Sequence, residues 1–263
     1  MASTAIYGLL SVPGTTATVL GTSGHAVWLL VNDDIVVVST SDATRLPNGV
    51  QIAATAADDA FRMVHHGAEV QMGFGRIMLE GLTVNVVRWW DPRPVLREIS
   101  PSMLAAAIEG LPSEVPDVAS QQLRAALSTG SPVALLAAAK PMLGKGPGLT
   151  PEGDDYLAGA LAATRLLGTA VASTTATTLL ASIAVHLARL ADARTTTFSA
   201  ALLRNALRGQ VVAPAASLLR AFTGRGDVAP AHRVLSAVGH SSGPALAAGI
   251  VLGAQALIAQ SAK

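Results

Sequence analysis

The sequence predicts an α+β protein: a β-rich N-terminal barrel or sandwich followed by a larger all-helical domain. Three observations lead there. Residues 1–92 break into short runs rich in β-branched residues, with glycines at the breaks. Two closely spaced prolines in Asp91-Pro92-Arg93-Pro94 punctuate a boundary. Residues 93–263 then read as one helical segment after another, forming a second domain that carries the Gly-rich motifs.

The strands are expected at Thr18–Leu20, Ala26–Val31, Ile35–Ser39, Val50–Ala53, Glu69–Met72, Ile77–Glu80 and Thr83–Trp90. Asn32-Asp33-Asp34 separates the second run from the third and signals a hairpin. Gly49, Gly73, Gly75 and Gly81 mark other turns. Asp58–Val64 reads as one helical interruption. Short strands with close turns suit a small antiparallel barrel or sandwich. Beyond the boundary, Ser100-Pro101 opens a helix with an N-cap and a proline at its first position. Further helices are expected at Val115–Leu127, Pro132–Ala139, Gly153–Leu167, Thr174–Ala193, Thr197–Arg208, Pro214–Phe222, Ala229–Val238 and Ser242–Ala259.

Composition removes several function classes. Hydrophobic residues make up 51% and charged residues 13%, so the chain is not disordered. With no cysteine there is no disulfide scaffold, no Cys-ligated zinc and no thiol nucleophile. A net charge of +1 gives nucleic acid no electrostatic support. The low charge raises the question of a membrane span, which needs about 20 apolar residues. Leu166–Ala188 lacks charge but carries seven Ser and Thr residues, and Pro244–Ala259 is apolar but short. Both read better as close-packed, small-residue helices in a protein core. Met1–Thr15 lacks the basic and apolar regions of a signal peptide. The expectation is a soluble, cytoplasmic protein.

Three helix entrances carry the chemistry. The first is Leu143-Gly144-Lys145-Gly146-Pro147-Gly148-Leu149-Thr150-Pro151-Glu152-Gly153-Asp154-Asp155. Glycines let backbone N–H groups approach a ligand, and a helix N-terminus attracts anions. Lys145 and Thr150 add donors. Asp154 and Asp155 suggest Mg²⁺, a hard cation that prefers oxygen ligands. The plain alternative is a capping loop whose acids favour the helix dipole. No Ser or Thr follows Gly144-Lys145, so this is not a Walker loop.

The second entrance is Arg194-Thr195-Thr196-Thr197-Phe198-Ser199. Hydroxyls there cap a helix, or join Arg194 in holding a phosphate or carboxylate. Arg204 and Asn205 would extend such a site. The third is Gly239-His240-Ser241-Ser242-Gly243. It fits G-x-S-x-G, but the acid and histidine that a hydrolase triad needs after the serine are not found in Ser242–Lys263. His240 could polarise a carbonyl; otherwise the segment is a tight turn. His65-His66 reads as a loop. His186 and His232 lack partners at metal-ligand spacing, and Trp89-Trp90 reads as a seal at the domain boundary.

In order and type, the segments 146–155, 195–199 and 239–243 resemble the signatures of a bacterial domain-of-unknown-function family that includes the AllH-like subunit of oxamate carbamoyltransferase. The resemblance spans about residues 95–260. One departure is that Pro244 and Ala245 follow the third segment, where the family pattern leads one to expect Trp and Asp. The resemblance implies anaerobic purine or ureide catabolism, with oxalurate plus phosphate interconverted with oxamate plus carbamoyl phosphate. It implies two partners, an acyl-CoA-synthetase-like subunit and a second uncharacterised subunit.

The leading expectation is therefore a carbamoyltransferase subunit with an anion pocket. Lys145, Gly146, Gly148, Thr150, Arg194, Thr195, Thr197, Ser241 and Ser242 would bind the substrate. His240, Asp154 and Thr196 would serve catalysis, and Asp154 and Asp155 would hold Mg²⁺. Two alternatives stay open: a non-catalytic assembly subunit, and a stand-alone Mg²⁺-dependent phosphotransferase or hydrolase.

Overall fold

Alternation of apolar and polar residues over 15–22 and continuous β-branched runs over 26–39 favour strands with one or both faces covered. A computed structural model, describing residues 1–12, 14–112 and 118–262, places them in a nine-stranded sheet. The strands are β1 (Ala2–Ser3), β2 (Thr15–Thr22), β3 (Ala26–Val31), β4 (Asp34–Ser39), β5 (Gly49–Gln51), β6 (Glu69–Gly73), β7 (Arg76–Leu79), β8 (Leu82–Asn85) and β9 (Trp89–Trp90). Their order is β8-β7-β6-β2-β3-β4-β5-β1-β9, and the sheet curls into a half-barrel. Pairing is antiparallel except at β4–β5 and β1–β9. The hairpin expected at 32–34 joins β3 to β4, with Val31 opposite Asp34 and Asn32 at φ 55°. Asn tolerates that left-handed conformation better than most residues.

Val19, Val27, Leu29, Val36, Val38, Met72 and Ile77 fill the core of this unit, Met1–Pro92. Two expectations change here. The run 83–90 is not one strand: β8 and β9 stand at opposite ends of the sheet order. The segment 58–64 is not a helix: a 3-10 turn, Ala56–Asp58, precedes hydrogen-bonded turns. Thr55 and Asp58 bond to each other at both side chain and backbone, which fixes a single turn. Strand β1 and the short helix α1 (Tyr7–Ser11) are too short to show a period in the sequence. Trp89 packs edge-on against Tyr7 at 4.9 Å, and Arg45 lies 5.2 Å above Trp90, so both tryptophans are engaged within the β-rich unit.

The second unit, Arg93–Lys263, is helical. It contains α2 (Pro101–Ile108), α3 (Val118–Thr129), α4 (Pro132–Ala139), α5 (Glu152–Ala170), α6 (Thr174–Arg194), α7 (Thr197–Leu207), α8 (Ala213–Phe222), α9 (Val228–Ser236) and α10 (Ser242–Ser261). Positions 115–117 of the helix expected over 115–127 lie outside the described residues. The N-cap expected at Ser100 is present, and Ser131 and Ser173 cap two further helices. Ser100 accepts from Met103 N at 3.2 Å, Ser131 from Ala134 N at 3.3 Å and Ser173 from Ala176 N at 3.1 Å. Such a cap contributes about 1 kcal/mol.

Helices α5 and α10 form the centre of this unit, and glycine lets their backbones touch. A Cβ at Gly249 would lie 2.0 Å from the Tyr156 carbonyl oxygen, and one at Gly159 would lie 2.2 Å from that of Leu246. Small residues along this seam explain the alanine density of the sequence. By length and composition, α6 and α10 are apolar enough to cross a membrane, but most of α10 is buried inside the unit. The uncharged stretch 166–188 is not one segment; it is broken at Ala172, φ 56°, between α5 and α6.

Candidate functional site

The loop 143–151 packs onto the entrance of α5 at glycines where a side chain would not fit. Gly144 has φ 74°, and a Cβ there would lie 2.3 Å from the Arg194 carbonyl oxygen. A Cβ at Gly153 would lie 2.2 Å from the Met142 carbonyl oxygen. The Gly153 N–H donates to the Lys145 carbonyl at 2.9 Å, closing the loop onto the helix entrance. The loop is thus pressed against the last turn of α6, where Arg194 sits exposed.

Asp154 binds the first entrance to the second. It is 1% exposed. Its Oδ1 accepts from the Gly144 N–H at 2.9 Å, and its Oδ2 accepts from Ser199 Oγ at 2.8 Å and from the Thr195 hydroxyl. Thr196 adds a second tie. Its hydroxyl caps α7 by accepting from Ser199 N at 3.0 Å and donates to the Leu149 carbonyl at 2.5 Å. Thr150 links the first entrance to the third, with its hydroxyl 2.8 Å from Ser242 Oγ. The three entrances therefore converge in one helical unit, which spacing alone could not establish.

Asp155 is treated differently from its neighbour. It is 8% exposed, and its buried Oδ2 has no hydrogen-bond partner. Burial pushes its pKa up to about 7, with Asp154 and Glu152 adding to the rise; the hydroxyls of Ser242 and Thr150 act in the opposite direction. Burial of an under-solvated carboxyl disfavours its charged form.

The remaining expected residues lie around this cluster. Lys145, Gly146 and Gly148 are exposed in the loop; Gly148 has φ 92° with open space where a side chain would stand. Thr197 is exposed at the start of α7. Ser241 is the half-buried residue before α10 and makes no side-chain cap bond. His240 is exposed in the turn just before it. Arg204 forms an ion pair with Asp192. Among the described residues, no group of three or more His, Asp or Glu comes together as a metal site.

The sequence reading missed Gly144 and Ser199 as partners of Asp154. Ser199 had a readable signal, since it is the N3 residue behind the N-cap Thr196. Gly144 had none, because its role depends on Arg194, fifty positions away.

Taken together, the fold and site define a β-sheet unit joined to a helical unit whose three Gly, Ser and Thr entrances meet around two buried carboxyls. Residues 142–254 match the model of a family described as oxamate carbamoyltransferase subunit AllH. This is the family that the three motifs resemble, and the matched stretch contains all three. The matched stretch lies within the helical unit. No curated protein and no solved structure matches the chain.

Proposed function

We propose that the helical unit holds the anionic substrate of a carbamoyltransferase complex. In that reaction, oxalurate plus phosphate is interconverted with oxamate plus carbamoyl phosphate. The observation that supports this is the joining of the three entrances by Asp154, Thr196 and the Thr150–Ser242 pair. Lys145 and Arg194 supply positive charge at the entrances. Gly148 leaves backbone open to a ligand, Gly146 lets the loop close against the Glu152 backbone beside it, and Thr150, Thr195, Thr197, Ser241 and Ser242 offer hydroxyls. Negative charge builds on the carbamoyl oxygen and the departing phosphate during transfer, and cations and N–H or O–H donors stabilise it there. In this reading His240, exposed beside Ser241, polarises the carbamoyl carbonyl.

Mg²⁺ has little to bind in this arrangement. Asp154 has both oxygens engaged by donors, and Asp155 sits beneath two hydroxyls. We therefore assign Asp154 to positioning, and no step passes through a metal. The partner subunits, an acyl-CoA-synthetase-like chain and a second uncharacterised one, and a cytoplasmic setting in purine catabolism, belong to the same proposal.

A second reading, an assembly subunit without catalysis, is favoured by one observation. Asp154 and Thr196 spend their polar groups on helix entrances. The two readings part on ligand binding. Thermal stabilisation by phosphate, carbamoyl phosphate and oxamate supports the pocket, because a ligand that binds only the native state raises stability. Absence of stabilisation by all three favours the assembly role.

A further inference from the structure

Adjacent in sequence and both buried, Asp154 and Asp155 have opposite hydrogen supplies. Asp154 receives three hydrogens. Around Asp155 the count runs short. Thr150 and Ser242 carry one hydroxyl hydrogen each, and the bond between them uses one. At most one remains for Asp155, whose Oδ2 has no partner. An ionised Asp155 would draw that remaining hydrogen inward and leave none for a ligand. A neutral Asp155 reverses the flow: it donates its own hydrogen to a hydroxyl and frees a hydroxyl hydrogen to point outward.

We propose that Asp155 is a positioning residue that, as a neutral carboxyl, turns the Thr150–Ser242 pair into a hydrogen donor for an oxygen of a bound oxyanion. The inference rests on the anion pocket proposed above. It commits the pair to ligands with an acceptor oxygen, such as a carboxylate or phosphate. The hydrogen is shared through the chain of hydroxyls, and no covalent bond changes.

The groups that bear on Asp155 are consistent with this role. Its own helix contributes the carboxyls of Asp154 and Glu152, which oppose a further negative charge. The loop contributes the neutral Thr150, and α10 contributes the neutral Ser242, with exposed His240 two residues before it.

Two measurements on the full chain test the inference, with Asp155→Asn as the principal variant. The first is infrared difference spectroscopy of the ligand-free protein, wild type minus Asp155→Asn. A protonated-carboxyl band is expected at pH 6 and should be gone by pH 9. The second is calorimetric titration with oxamate, whose own charge does not change over this range. Wild-type affinity should fall about tenfold per pH unit above pH 7.5, as loss of one linked proton requires. Asp155→Asn keeps an amide hydrogen, so it should bind oxamate with no pH dependence, whereas Ser242→Ala should bind at least tenfold more weakly.

Absence of the band at pH 6 overturns the neutral carboxyl. Wild-type binding that is independent of pH overturns the inference while leaving the anion pocket standing. A band without oxamate binding at any pH overturns the donor role; the pocket itself falls only if phosphate and carbamoyl phosphate, titrated in the same way, also fail to bind.

Discussion

Asp154 in the first turn of α5 accepts the hydroxyl of Thr195, the residue just beyond the last turn of α6. The same carboxylate oxygen takes Ser199 of α7 at 2.8 Å, so one buried side chain fixes where three helices meet. Removing it would leave the Gly144 N–H and two hydroxyls without their acceptor.

Asp154→Ala should therefore destabilise the protein by about 3 kcal/mol, the scale set by stranding several buried donors. Asp154→Asn should cost less but still lower the urea midpoint, since an amide offers one acceptor oxygen instead of two. Mg²⁺ should change neither midpoint; selective stabilisation of the wild type by Mg²⁺ would argue for a metal role.

The α5–α10 seam makes a separate prediction. Gly249→Ala and Gly159→Ala place a Cβ 2.0–2.2 Å from a carbonyl oxygen across the seam. Each should cost about 1–3 kcal/mol through overpacking, read from denaturant midpoints. Gly148→Ala meets no atom within 4 Å but takes on a strained φ of 92°. It should cost only about 1 kcal/mol while weakening anion binding.

Asp155 makes stability depend on pH. Its folded-state pKa, about 7, lies above the ordinary 3.8, so the folded state holds the proton that the unfolded state has lost between these values. Stability should therefore fall as pH rises from about 4 to 7, then level off. The slope from this group is on the order of 1.4 kcal/mol per pH unit. Urea midpoints of wild type and Asp155→Asn between pH 5 and 8 check it; the variant should lack this component.

Much of the fold was legible because its signals are local. Helix α4 falls on Pro132–Ala139 as expected, with Ser131 as its cap. The β3–β4 hairpin was marked by Asn32. What escaped was what depends on partners. Nothing in Thr83–Trp90 announces that β9 will pair in parallel with β1 instead of continuing β8. The site followed the same rule. Its three segments were visible as glycine and hydroxyl clusters at helix starts, but the separate roles of Asp154 and Asp155 were not. Adjacent carboxyls look alike in sequence; they differ only in which hydroxyls and N–H groups the fold brings to each.

The most direct test of the anion pocket is calorimetric titration with carbamoyl phosphate, phosphate and oxamate, without Mg²⁺. Wild type is compared with the double variant Lys145→Ala/Arg194→Ala. The melting temperature of the free variant is measured alongside, so that lost binding is read separately from lost stability. Wild type should bind at least one of these anions, and the double variant should bind it tenfold or more weakly, the scale of a lost charge-assisted hydrogen bond of about 1.5–3 kcal/mol. Equal affinity in the two proteins, or no binding by wild type, would contradict the anion pocket.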